Sequence, residues 1–402
     1  MKSDKMYRVG GVVSSPNFVD HEELLRELSR ELSKNNFILS GPKRVGKSSL
    51  LEELGRRLSK KFIVVNLDVT AVHPLEKTNF LKHLGRETLD AYAASTGKDK
   101  IRIALRKKWE DLMDAIKHIR IDVRDWITLY FAENPDVTDL AKQTFDLPER
   151  LALECGRDFL IMLDEIPKLI RLKGNVPYQE DIDFMWTLRG HMHKKQHTHF
   201  IITGSAVGMI ENLFRPGDSP FHGTFLNRQM RGIDRESAVK LVERMRTVVK
   251  IDAELVERIV EVTERWPFYL QAFSRAAKDL AESKPSRKVT PADFEEVEKC
   301  AMNDLEPHFS ELVNKLGSEL QLMVLIEMAR MDTGRTSDIV RALGRPYPAM
   351  YSMMQRLVLQ GYLKRVGEGE FAFLDHLLKK WLARTYGVTP PLSTPTKVEE
   401  EP

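Results

Sequence analysis

Residues 36–54 read NFILSGPKRVGKSSLLEEL. Phe37, Ile38 and Leu39 form an apolar run that predicts a short buried strand. Leu50, Leu51, Leu54 and Leu58 recur at helical spacing, with Glu52, Glu53, Arg56 and Arg57 on the opposite face. Between them lie Gly41, Pro42, Lys43, Arg44, Val45, Gly46, Lys47, Ser48 and Ser49, spaced as G-x-x-x-x-G-K-S. In a strand-loop-helix context this spacing is a phosphate-binding loop. Its backbone N–H groups wrap a polyphosphate at a helix N-terminus, where the helix dipole also favours negative charge. Gly41 and Gly46 allow backbone angles and close approaches that a side chain would block. Lys47 is expected to reach the β- and γ-phosphates and Ser48 to ligate Mg²⁺, so ATP and Mg²⁺ are the expected cofactors.

The chain has 402 residues, enough for two or three domains. Apolar residues make up 42% and charged residues 30%, a composition typical of globular proteins. The formal charge of +3 neither demands nor excludes nucleic acid. Cys155 and Cys300 are far apart, as in a chain built for a reducing cytoplasm. Apolar runs reach about five residues, against ~20 for a membrane helix, and the N-terminus lacks a signal-peptide core. The expectation is a cytoplasmic protein with no membrane contact.

Residues 1–15 read as a loose lead-in, and 16–36 as an amphipathic helix entering the first strand. KFIVVNLDV (61–69) predicts a second strand. Residues 75–155 read as a charged, mostly helical insertion closed by Pro148; its basic cluster (Lys98, Lys100, Arg102, Arg106, Lys107, Lys108) reads as a solvated face. RDFLIMLDEIPKL (157–169) holds an unbroken apolar run, as in a central parallel strand, ending in Asp164 and Glu165. HTHFIITGSAVGMI predicts a further buried strand ending near Thr203 and Ser205, and NRQMRGID (227–234) a fifth. Strands alternating with helices imply an α/β fold with a parallel five-stranded sheet. Ligands bind such sheets at the carboxyl ends of the strands. Residues 40–48, Asp164, Glu165, Thr203 and Ser205 all fall there. Residues 235–317 read as helical. Residues 318–386 read as three helices, two short strands with a Gly-Glu-Gly turn, and a closing helix, the outline of a winged helix. Residues 387–402 read as a disordered tail.

A buried strand ending in Asp-Glu downstream of a phosphate loop predicts Asp164 beside the metal and Glu165 as the base that polarises attacking water. The cation for the transition state has candidates in Arg215, Arg228, Arg231 and Arg265, besides Lys43, Arg44 and Lys47 of the loop. HMHKKQHTH (191–199) reads as a solvated basic loop rather than a metal site, and the methionines of AMYSMMQRL as core.

GPKRVGKSSLL, FLIMLDEI, IITGSAVGMI and PFYLQAF, in that order, resemble the archaeal-type ATPases of the AAA+/STAND group, which carry a C-terminal winged helix. The resemblance spans about 16–280 and 318–386 and matches poorly at 75–155. It implies an ATPase core (1–234), a helical lid (235–317) and a winged-helix domain (318–386). Gly41, Gly46, Lys47 and Ser48 would bind nucleotide, Asp164 assist Mg²⁺ and Glu165 act as base. Thr203 or Ser205 would be the sensor, and Pro267 the proline of the family's G-x-P motif. Arg265 stands where that motif has Gly, FVDHEEL (18–24) replaces the usual Arg-Glu pair, and no arginine directly follows Gly223, so Arg228 and Arg231 are the nearest substitutes.

Three functions follow. The favoured one is an ATP-binding and ATP-hydrolysing switch that controls the winged helix and its partner contacts. The others are an ATP-licensed DNA-binding protein and a partner-binding module with a degenerate ATPase. The third winged-helix segment, residues 346–360, has Arg356 as its one cation. A protein partner or self-association is therefore expected ahead of nucleic acid.

Overall fold

The computed structural model describes residues 21–105, 107, 109–116, 123–173, 176–205 and 219–388, with single positions 7, 11, 18, 209 and 213. Arg106, Lys108, Arg215 and the expected tail from 389 onward lie outside the described residues. The chain divides into two compact units, 11–231 and 232–402 with 1–10.

The first unit is built on five parallel strands: β1 (Asn36–Ser40), β2 (Ile63–Asp68), β3 (Phe159–Asp164), β4 (Thr198–Gly204) and β5 (Phe225–Gln229). Their order is β2-β3-β4-β1-β5. Ser40 pairs with Gly204, and Asp68 with Asp164. Helix α1 is Glu22–Glu31 and α2 Lys47–Leu58. The fifth strand begins two residues before the expected segment and stops at Gln229. The Met230 N–H still donates to the Ser40 carbonyl at 2.6 Å, the last bond of that ladder.

Successive side chains of a strand point to opposite faces. Phe37, Leu39, Leu160, Met162 and Ile201 bury against Leu25, Leu28, Leu50 and Leu54 of α1 and α2. Ile38, Phe159, Ile161, Leu163, Phe200 and Ile202 bury in the other core, with Phe80, Leu84, Tyr92, Trp126, Phe145 and Leu188. Most of these last residues belong to the segment read as an insertion. Its helices α3 (Lys77–Thr96), α4 (Asp99–Ala104), α5 (Trp109–Ala115), α6 (Arg124–Phe131) and α7 (Val137–Cys155), with α8 (Gln179–Met192), cover that face. A parallel sheet needs such cover on both sides. Pro148 does not close the region. It lies buried inside α7, which continues to Cys155. In the basic cluster Lys98 pairs with Glu154 at 2.8 Å, and Arg102 with Asp90 at 3.1 Å.

The second unit has helices at Arg235–Glu243, Ala253–Val262, Pro267–Ser283 and Phe294–Asn314. Asp293 opens the last of these by accepting from the Thr290 backbone N–H at 2.9 Å and its hydroxyl at 3.1 Å. Helices Glu319–Ala329, Thr336–Leu343 and Tyr347–Leu359 follow. Strands Leu363–Gly367 and Glu370–Phe373 form a hairpin, with Gly369 at φ 70° in its turn, and Gly334–Arg335 adds a third strand. His376–Thr385 closes the unit. The segment expected to be loose is tied at Tyr7. This side chain is buried, and its hydroxyl donates to the Val242 carbonyl at 2.7 Å and accepts from the Met245 N–H at 2.9 Å. A tyrosine whose hydroxyl can end a helix offers no periodicity from which to foresee this.

Gly85 gives a packing prediction. A Cβ there would sit 2.3 Å from the Trp126 indole. Gly85→Ala should destabilise the chain by about 1–3 kcal/mol through overpacking, although alanine is the better helix former. Urea unfolding would read this as a lower midpoint with an unchanged slope; an unchanged midpoint would mean that Trp126 does not pack against α3.

Candidate nucleotide site

The loop between β1 and α2 owes its shape to two backbone constraints. Gly46 adopts φ 106°, and a Cβ on Gly41 would meet the Met230 carbonyl oxygen at 2.7 Å. Arg44 also takes a positive φ, 68°, which is rare for a residue with a side chain. Val45 is fully buried and fixes the loop from beneath. Arg44 is exposed, while Pro42, Lys43 and Ser49 are half-buried. Lys47 opens α2 and turns back over the loop, its Nζ donating to the carbonyls of Gly41 and Pro42, both at 2.8 Å. Burial pulls the Lys47 pKa down, with the charges of Glu165 and Asp164 acting the other way.

Ser48, one residue further, donates its hydroxyl to Asp164 Oδ2 at 2.5 Å. Thr203, at the end of β4, donates to Asp164 Oδ1. Asp164 is 7% exposed. Burial pushes its pKa up; the hydrogen bonds from Ser48 and Thr203 oppose that, and the Glu165 charge adds to it. Such a carboxylate is poorly solvated as an anion and gains from a cation beside it. The Ser48 hydroxyl and the Asp164 carboxylate form a hard oxygen donor set that suits Mg²⁺, which takes one or two protein oxygens and completes its shell with phosphate and water. Among the described residues there is no cluster of three or more His, Cys, Asp or Glu able to hold a metal by protein ligands alone.

Glu165 lies just past β3 in the left-handed region, φ 62° and ψ 42°. Its N–H donates to Thr203 Oγ1 at 3.1 Å, and its carboxylate accepts from the Ser205 hydroxyl at 2.8 Å and the Ser205 N–H at 3.2 Å. Thr203 therefore serves both residues of the acidic pair, donating to one and accepting from the other. Gly41, Gly46, Lys47, Ser48, Asp164, Glu165, Thr203 and Ser205 thus meet at the carboxyl edge of the sheet.

The remaining candidates are placed differently. Arg228 on β5 is committed to Glu27 of α1, its Nε donating to Oε1 at 2.8 Å, and lies over the Phe37 ring. Arg231 is exposed at the end of the first unit. Pro267 and Arg265 belong to the second unit, where Pro267 opens the helix to Ser283. Trp266 stacks on Tyr269 nearby, with ring centroids 5.4 Å apart. His197 and His199 both turn to Asp158, at 2.9 and 3.4 Å, and His191 stacks on Phe145.

Two supporting residues escape a reading by motif. Asn227 on β5 accepts from the Ser40 hydroxyl at 2.9 Å and secures the strand end that launches the loop. Asp68, in register with Asp164, accepts from the Thr70 N–H at 2.8 Å and so turns the chain at the end of β2. Both interactions join strands or turns whose pairing becomes visible only in the sheet.

Comparison with known proteins agrees with this geometry. The fold is similar to that of a Walker-type ATPase of Pyrococcus abyssi, with 18% identity, coverage of 94% of this chain and 99% of that one, and a TM-score of 0.64. It is also similar to the ORC2 protein of Aeropyrum pernix, solved as ADPNP and ADP complexes, with 13% identity, coverage of 92% and 97%, and a TM-score of 0.50. At these identities the likeness is one of fold. No curated protein matches the sequence. No helix among the described residues is long and apolar enough to cross a membrane. A family model described as an ATPase domain predominantly from Archaea matches residues 18–273, more than half of the chain. This protein, with its phosphate loop set against an Asp-Glu pair at the end of a buried strand of a five-stranded parallel sheet, belongs to that archaeal ATPase-domain family.

Proposed function

We propose that the protein is an ATP-binding and ATP-hydrolysing molecular switch of the STAND kind, in which nucleotide state governs a C-terminal winged helix and its protein contacts. The observation that carries this reading is the linked set Ser48–Asp164–Thr203–Glu165–Ser205, which joins the phosphate loop to an acidic pair through hydrogen bonds. The N–H groups of the loop and the Lys47 ammonium would grip the β- and γ-phosphates of ATP. Buried Lys47, now bonded to two neutral carbonyls, stands to gain most from an anion. Ser48 and Asp164 would hold Mg²⁺, which when bound neutralises charge developing on the phosphate oxygens. Glu165 would take the proton of the attacking water, with Ser205 fixing its carboxylate and Thr203 its backbone. Arg228 is already paired with Glu27, so among the described candidates of this unit beyond the loop, exposed Arg231 is the one proposed to act on a neighbouring chain.

The reading of a protein-contact module rests on the helix Tyr347–Leu359. Tyr347 and Tyr351 are exposed and stacked, 6.3 Å between centroids. Met350 and Met354 are core, and Arg356, the helix's one cation, is half-buried beside Gly317. Exposed aromatics without cations suit a protein partner better than base edges.

Lys47→Ala should abolish ATP binding by removing the main positive charge on the β/γ-phosphates; calorimetry showing parental affinity would refute the site. Glu165→Gln should keep ATP bound and lose turnover by a factor of about 10² or more, and equal phosphate release by both proteins would remove Glu165 from the mechanism. The full chain titrated with duplex DNA across salt concentrations should show only weak, sequence-independent binding. Sequence-selective binding that survives ~150 mM salt would instead establish a DNA-licensed function.

A further inference from the structure

In the second unit, Glu264 and Arg265 are two consecutive non-glycine residues at positive φ, 45° and 59°. This backbone region is strained for a residue with a side chain, so such a turn persists only where its surroundings hold it. Two contacts do so. From one side comes the segment where the chain enters this unit: the Ile233 N–H donates to the Arg265 carbonyl at 2.9 Å, and a Cβ on Gly232 would collide with the Glu264 carbonyl at 2.2 Å. From the other side comes the first residue of the closing helix, His376. Its Nδ1 lies 3.2 Å from Glu264 Oε2, and its Nε2 lies 2.5 Å from the Val262 carbonyl oxygen.

Both ring nitrogens of His376 therefore face acceptors that carry no hydrogen. A neutral imidazole has one N–H and can satisfy only one of them; the imidazolium satisfies both. A cation at a helix N-terminus opposes the helix dipole, so this position needs local anions. Glu264 supplies the main one; Asp375 adds a smaller contribution, since burial pushes its own pKa up. Asp375 itself is held by the Leu377 N–H at 3.0 Å, the Leu378 N–H at 3.1 Å and the Tyr269 hydroxyl. The charged or titratable groups acting on this cluster are Glu264, Asp375, Tyr269 and Lys364.

We propose that His376 is a protonation-dependent latch: as an imidazolium it ties the closing helix to the strained Glu264–Arg265 turn, and through that turn to the entering segment at Gly232 and Ile233. Losing one proton leaves a ring nitrogen facing an acceptor with its lone pair, and releases the turn. The latch is independent of the proposed ATPase activity. Burial lowers the His376 pKa, but the hydrogen bond and charge of Glu264, the charge of Asp375 and the Val262 carbonyl together outweigh it and raise the pKa overall. A group whose pKa is raised on folding stabilises most below its unfolded value, about 6.5 for histidine, and loses that contribution as pH rises through the folded value. The latch is thus closed in mild acid and opens as the solution becomes alkaline.

The test uses the full chain. Imidazole NMR on the parent and on His376→Gln assigns the His376 resonance among the eleven histidines and reads its titration. A midpoint above the usual histidine value is expected. Hydrogen exchange at Ile233, corrected for intrinsic rate, should lose protection over the same pH range, and His376→Gln should exchange about tenfold faster at pH 6, where the parent latch is closed. Lys380→Gln, on the same helix but paired with Glu298, should exchange like the parent. Should His376→Gln fail to fold, Glu264→Gln assigns the resonance by lowering its midpoint and makes the same exchange prediction. A His376 midpoint at or below the usual value, or Ile233 protection that ignores the substitution and the pH, would overturn the proposal.

Discussion

Asp164 is where the first unit comes together. Its two carboxylate oxygens accept from Ser48, at the head of α2, and from Thr203, at the end of β4, residues separated from it by 116 and 39 positions in the chain. That meeting is possible because β1, β3 and β4 are parallel and adjacent, so their carboxyl ends share one edge. The same burial that raises the Asp164 pKa removes solvent from the position where a cation would be of most use. Stability is given up locally for preorganisation, as is common where a fold carries chemistry.

The sheet can do this because it is covered on both faces. The α1 and α2 side is closed by a compact leucine layer. The opposite side is closed by the long helical segment between β2 and β3, with Trp126 and Phe145 among its largest fully buried side chains. That segment has the physical duty of covering β3 and β4. Tight packing of the Gly85–Trp126 kind is how the helices of a segment with many surface charges are held to one another.

In the second unit, order depends on polar ties between distant segments. Tyr7 ends a helix more than 230 residues away, and Tyr269 reaches the residue that caps the closing helix. Helix ends carry backbone groups without intrahelical partners, so such ties decide which helix ends meet. The His376 contact with the Glu264–Arg265 turn belongs to this class, and differs in depending on a proton that leaves as the pH rises.

The phosphate loop, the acidic strand end and the α/β class were legible in the sequence because each is local. G-x-x-x-x-G-K-S between a strand and a helix, and FLIML followed by Asp-Glu, carry their context within about twenty residues. Local pattern also marked Thr203 and Ser205 as the polar end of a strand. It could not assign their partners, because a hydroxyl reads the same whether it holds Asp164, Glu165 or water. Pro148 looked like a boundary because proline usually ends helices, yet tertiary burial carries α7 past it. The fifth strand was misplaced by two residues because an edge strand with one buried residue has little alternation to read. Arg228 looked free to act on a phosphate until the pairing of β5 with β1 brought it beside Glu27. The sequence by itself determined which chemistry the chain carries, since that is written in residue types at short spacing. The tertiary structure decided which side chain each group answers to, since hydrogen bonds and ion pairs are set by distance in space.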